Sequence, residues 1–333
     1  MLAVVSCVST LLPACTSKPP EQTGRLKQRF IDAAPGVRLE ALDSGGDGPP
    51  LIFLAGAFAT AHVFDTFAPR FISAFRVIAI TRRGFGASSR STIGYSADTL
   101  AADIIAVLDS LGIQRAAFVA HSFGGAELSF LATRYPHRVA RLIYLDGAFD
   151  FPSLYAFPGW WNARPQPPPM KSADSSSPEA VAAYAARVLR LPLPVTDIKA
   201  KMQFDSGGRL VEAHDYSSLQ PLMVNGVAPL GPGVLNAPVL AIYAEPRGPD
   251  ELFSNLTELA PAEQEKGRRY WPIWQAAMVA QRKRFAEFAP HARIVLVPGA
   301  HHFVYLSHPD KVEKDIRSFL RPFAKEWLRN RRG

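Results

Sequence analysis

Short apolar runs and helical patterns alternate along most of this chain. Residues 36–42 alternate polar with apolar, the period of a half-buried strand. Leu51-Ile52-Phe53-Leu54 is wholly apolar and leads to Gly56, and the apolar run 75–80 leads to Arg83-Gly84-Phe85-Gly86. Ser96 is placed to cap a helix over 97–111, with Leu100, Ile104, Leu108 and Leu111 on one face and Gly112 at its end. Residues 116–120 predict a strand, a helix follows through Tyr135, and 142–145 predict another strand. The rhythm then breaks: residues 151–170 hold six prolines and five aromatics, and a Ser/Pro stretch at 172–178 precedes alanine-rich helical material. It resumes with a strand at 238–243, a helical pattern over 264–288, a strand at 292–297 and a helix over 309–328. Strands alternating with helices predict an α/β fold: a mostly parallel sheet of about eight strands, flanked by helices on both faces. The interruption predicts an inserted helical cap at 150–236, which leaves 24–149 and 237–333 as the core and 1–23 as leader and linker.

Composition narrows this picture. A 333-residue chain with 48% hydrophobic and 20% charged residues is globular rather than disordered. No apolar run reaches the ~18 residues of a conventional membrane span. Two cysteines exclude a disulfide scaffold and a four-thiolate zinc site. The net charge of +8 invites a nucleic-acid reading, but residues 321–333 alone carry five basic residues against Glu326, a net of +4. Such a tail reads as a solvated helix end, where basic side chains suit the dipole, and no nucleic-acid partner is expected. Attraction to an anionic membrane surface fits it better. Residues 1–15 are uncharged and read as a secretory apolar region. Leu12-Pro13-Ala14-Cys15 resembles a bacterial lipobox, which implies lipidation of Cys15 and attachment to the cell envelope. The alternative is an accidental apolar leader on a cytoplasmic protein. Both Cys7 and Cys15 lie in that leader, so the rest of the chain has no thiol and is indifferent to an oxidising compartment.

The candidate chemistry sits at strand ends. Ala120-His121-Ser122-Phe123-Gly124-Gly125, between a strand and a helix, resembles the nucleophile elbow of the α/β-hydrolases, with Ala120 in place of the first glycine. A serine lifted on such a turn needs a base. Val297-Pro298-Gly299-Ala300-His301-His302, after the last strand, resembles that family's histidine loop, and its position matches His302 rather than His301. Three acids remain open for the third member. Asp146 stands at the carboxyl end of its strand, whereas Asp250 and Glu245 follow the strand at 238–243. The resemblance implies two oxyanion donors, the N–H groups of Phe123 and of Ala57 in Leu54-Ala55-Gly56-Ala57-Phe58. Arg82-Arg83-Gly84-Phe85-Gly86-Ala87-Ser88 also resembles a family segment, and reads as structural because its glycines permit a tight turn. Asn255-Leu256-Thr257 is a formal glycosylation sequon without weight in a bacterial protein.

A serine nucleophile implies acyl transfer to water, since family members that open epoxides or remove halides use aspartate there. The resemblance therefore implies a serine hydrolase acting on an ester, lactone or related acyl bond of a small molecule, with no cofactor and no metal. Phe151, Tyr155, Phe157, Trp160 and Trp161 suit an apolar acyl or aryl pocket, or simply the packing face of the cap. Two alternatives keep the same residues: a non-hydrolytic perhydrolase or lyase, and an idle hydrolase fold used for binding.

Overall fold

The computed structural model describes residues 26–330, apart from 161–163, 190–191, 214–218, 228, 231–234 and 254. The leader with Cys15, and Trp161, lie outside the described residues. The main sheet has eight strands: β1 (Lys27–Ala34), β2 (Val37–Asp43), β3 (Pro50–Leu54), β4 (Arg76–Ile80), β5 (Ala116–His121), β6 (Val139–Leu145), β9 (Val239–Glu245) and β10 (Arg293–Pro298). A separate pair, β7 (Met202–Phe204) and β8 (Leu210–Ala213), is antiparallel. The order in the main sheet is β1-β2-β4-β3-β5-β6-β9-β10. From β4 to β10 all neighbours are parallel, and β2 is antiparallel to both β1 and β4. The predicted α/β architecture is borne out.

The central strands are apolar on both sides because both sides are covered. In β5, Phe118 and Ala120 join one core while Ala117 and Val119 join the other. Helices α1 (Ala97–Ser110) and α2 (Gly124–Arg134) supply the first core, and α9 (Val304–Ser307) and α10 (Pro309–Asn330) supply the second. Helix α1 starts as predicted, with the Ser96 hydroxyl accepting from the Thr99 N–H at 3.3 Å. The hydrophobic pattern missed β1, for a physical reason: it is an edge strand on which only Ile31 is buried, so its sequence carries no apolar face.

Between β6 and β9 lie α3 (Phe151–Tyr155), α4 (Pro178–Leu189), α5 (Val195–Lys201), the β7–β8 pair and α6 (Leu219–Gly226). After β9 come α7 (Pro249–Leu252) and the long α8 (Pro261–Phe288). The segment is tied to the loop after β3 by a buried contact: Asp197 of α5 accepts from the Thr60 N–H at 3.0 Å and from its hydroxyl at 2.8 Å. No helix among the described residues is long and apolar enough to cross a membrane. The chain goes from β3 to β4 on one side, then crosses back to β5 on the other. The carboxyl ends of β3 and β5 are therefore where the winding reverses, the place where open α/β sheets hold their ligands.

Candidate active site

Ser122 follows β5 directly and precedes α2, and its φ is +50°. For a non-glycine residue that is a costly conformation, about 1–2 kcal/mol, which the surrounding structure must impose. The Ser122 N–H donates to the Leu145 carbonyl at 3.2 Å. Glycines allow the close nesting that follows. A Cβ on Gly125 would lie 2.0 Å from the Gly147 carbonyl oxygen, and one on Gly147 would lie 2.7 Å from the Ser122 nitrogen. The sharp turn thus depends on Gly147 across the sheet as much as on the glycines beside it, a requirement the elbow motif does not contain.

His302 stands on the loop after β10. Its Nδ1 lies 2.7 Å from Asp146 Oδ2. A carboxylate can only accept, so Nδ1 carries the proton and Nε2 is left with a lone pair. Asp146 follows β6 directly, with φ at +43°, and its Oδ1 accepts from the Ala244 N–H at 3.1 Å. The other two candidate acids are elsewhere. Asp250 is an exposed residue of α7. Glu245 contributes its backbone carbonyl, which accepts from the Gly299 N–H at 2.9 Å and so supports the histidine loop. His301 turns away from Asp146 to stack on Phe303 with a 7° interplanar angle. Burial, helped by the neighbouring His302, lowers its pKa to about 4.

His121, which the sequence presented only as part of the elbow, joins the two halves of the site. Its Nε2 donates to the His302 carbonyl at 3.2 Å, and its ring lies 4.7 Å from that of His302. Burial, and next the charge of His302, hold it well below the ordinary imidazole range, so it stays neutral. This buried histidine ties the segment before Ser122 to the histidine loop, and only the tertiary structure supplies its partner.

The two expected oxyanion residues, Phe123 and Ala57, line the same cavity as Ser122 and His302. The Phe123 N–H precedes the first turn of α2, where no intrahelical acceptor exists. Arg82 orients the other loop. It donates to the Ala55 carbonyl at 2.8 Å and to the Gly56 carbonyl at 3.3 Å. In a trans peptide the N–H points opposite to the C=O, so the Ala57 N–H is turned away from Arg82. Arg82 is held in turn by Glu127 of α2 through two hydrogen bonds, Nε to Oε1 and Nη2 to Oε2 (2.9 Å for the second), and its guanidinium lies 5.2 Å from the Phe123 ring centre. Within the segment 82–88 the glycines make the turn, and Arg82 ties it to the Ala55 and Gly56 carbonyls.

The cavity has a volume of about 470 Å³. Its apolar walls come from Phe151, Leu154 and Tyr155 of α3, Met223 of α6, and Tyr270, Trp274 and Met278 of α8. Of the five aromatics singled out in the sequence, Phe151, Tyr155 and Trp160 line it, Phe157 packs against the core instead, and Trp161 is outside the described residues. Arg164, which no sequence pattern marked, also lines it. No group of three or more potential metal ligands occurs among the described residues.

A family model for the alpha/beta hydrolase fold matches residues 49–177. The chain is 26% identical over 278 residues to the 2-(acetamidomethylene)succinate hydrolase of Mesorhizobium japonicum, covering 83% of this chain and 89% of that protein. It is 27% identical over 313 residues to a 2-hydroxymuconate semialdehyde hydrolase of Pseudomonas putida, covering 90% and 96%. Among solved structures, that of E-2-(acetamidomethylene)succinate hydrolase superposes with a TM-score of 0.63 at 23% identity, covering 89% of this chain and 99% of that one, a likeness of fold.

Proposed function

We propose that this chain, which belongs to the α/β-hydrolase fold superfamily, is a serine hydrolase that cleaves a carboxylic ester, lactone or related acyl bond through an acyl-enzyme. The observation that carries this reading is the 2.7 Å bond between His302 Nδ1 and Asp146 Oδ2, in a cavity shared with a serine held at positive φ. In this reading His302 Nε2 takes the proton of the Ser122 hydroxyl as its oxygen attacks the substrate carbonyl carbon. The N–H groups of Phe123 and Ala57 receive the resulting oxyanion. His302 passes the proton to the leaving group, whose bond to carbon breaks to leave the acyl-serine. Water, deprotonated by His302, then attacks the acyl carbon, and collapse returns the proton to Ser122. Asp146 holds the imidazole in one tautomer and stabilises its cation. The segment between β6 and β9 acts as the cap that walls the acyl pocket. The two relatives matched over most of their length are named as hydrolases, which supports hydrolysis over the non-hydrolytic alternatives.

The test is labelling of the protein with a fluorophosphonate, followed by peptide mapping. A single adduct on Ser122, lost in Ser122→Ala, is the expected result. An absent adduct on folded protein, or an adduct on another residue, would overturn the assignment.

A further inference from the structure

The apolar cavity has a polar corner. Arg164 lines the cavity, with its guanidinium carbon 4.5 Å from the centre of the Trp160 ring and 5.5 Å from that of Tyr270. Its Nε donates to the Tyr270 hydroxyl at 3.0 Å. Trp160 is 7% exposed, and its indole N–H is buried without an acceptor among the described residues. The three groups form one cluster, since the Trp160 and Tyr270 rings are 6.0 Å apart.

The cavity that holds this corner also holds the candidate reaction centre, with aromatic rings along its wall. Phe123 adjoins Ser122, Phe151 is 5.6 Å from Phe123, and Tyr155 is 5.7 Å from Phe151. The charges of Arg164 and of Arg82 both act on the Tyr155 hydroxyl. A substrate whose carbonyl sits at Ser122 thus shares its cavity with an aromatic wall and a cation. A guanidinium mounted on an indole face and a tyrosine hydroxyl is pre-organised, which lowers the entropy lost when it binds an oxyacid.

We propose that Arg164, held by Trp160 and Tyr270, recognises a carboxylate on the substrate's acyl portion. The natural substrate class is then an acyl compound whose apolar body carries an acidic group. This rests on the serine-hydrolase reading of the same site, and it adds the part of the substrate that the triad cannot specify.

The experiment compares p-nitrophenyl hemiesters of linear diacids, four to eight carbons long, each with the neutral ester of the same length. The readout is the ratio of the two kcat/KM values. The wild type is expected to favour the hemiester by at least about tenfold at one chain length. Arg164→Gln should lower that ratio on the order of 10–100-fold, the usual worth of a charge-assisted hydrogen bond. Trp160→Leu, which removes the ring under the guanidinium, should lower it less. A ratio that favours the neutral ester at every length, or that Arg164→Gln leaves unchanged, overturns the proposal. Calorimetric titration of Ser122→Ala with 3-phenylpropanoate and with its neutral amide gives a readout free of catalysis. Tighter binding of the acid, abolished by Arg164→Gln, supports the corner; equal binding overturns it. Turnover of neutral esters without carboxylate preference would remove this inference alone. Absence of both turnover and Ser122 labelling would remove the hydrolase reading instead.

Discussion

Ser122 and Asp146 stand one residue beyond the paired strand positions His121 and Leu145, and both hold positive φ, +50° and +43°. Phe58, at φ +60°, completes the set of non-glycine residues with positive φ among the described residues. All three line the same cavity. Costly backbone conformations are thus gathered where the candidate nucleophile, its candidate carboxylate and the candidate oxyanion loop line one cavity, as expected where the fold forces side chains into place for chemistry.

The carboxylate choice is testable by two substitutions. Asp146→Asn removes the partner that fixes the His302 tautomer, and turnover should fall on the order of 10⁴-fold, the loss seen when a triad carboxylate is made neutral. Asp250→Asn, on the exposed face of α7, should stay within about twofold of wild type. Steady-state kinetics on one neutral ester checks both.

The Arg82–Glu127 pair holds the Ala55 and Gly56 carbonyls of the candidate oxyanion loop. Arg82→Met alone strands a buried carboxylate, at a cost of about 3–5 kcal/mol. The double variant Arg82→Met/Glu127→Leu removes both charges and should remain folded. Its kcat should still fall about 10²–10³-fold, with KM changed little, because a misaligned Ala57 N–H weakens only the transition state. A double variant with normal kcat would make the pair purely structural.

Two glycines should separate close packing from backbone conformation. Gly125→Ala places a methyl against the Gly147 carbonyl, 2.0 Å away, and should cost at least about 1–3 kcal/mol together with turnover. Gly46→Ala meets only open space at φ +84°, and should cost about 1 kcal/mol with turnover intact. Urea unfolding combined with ester turnover distinguishes them.

Stability should decline at alkaline pH through His62. Burial opposes its charge, but hydrogen bonds to Asp65 and Glu40 outweigh burial and raise its pKa to about 10. The folded state therefore holds a proton that the unfolded chain gives up near pH 6.5. The stabilisation is complete below that pH and is lost as pH rises toward about 10. The wild-type urea midpoint should fall between pH 6.5 and 10, and His62→Gln should flatten the slope. A variant with the wild-type slope would place the loss elsewhere.

Local pattern determined a good deal of this protein. The wholly apolar runs became central strands because a parallel sheet covered on both faces has no polar side to encode. Ser96 and Gly112 marked the ends of α1 because capping is settled within a turn of the chain. Ser122 and His302 were legible because each lies in a short motif next to its strand. What remained open depended on distance across the sheet. Asp146 and Asp250 follow strands and Glu245 ends one, and only the pairing of β6 between β5 and β9 brings Asp146 to His302. Arg82 reads as part of a turn until Glu127, 45 residues away, is seen to hold it under the Gly56 carbonyl. Arg164 carries no local signal, and it acquires meaning from Tyr270, 106 residues on. Hydrophobic periodicity and turn chemistry act between near neighbours, so a sequence displays them directly. A hydrogen bond between residues far apart in the chain exists only once the core has packed, and that step selected the partners within this site.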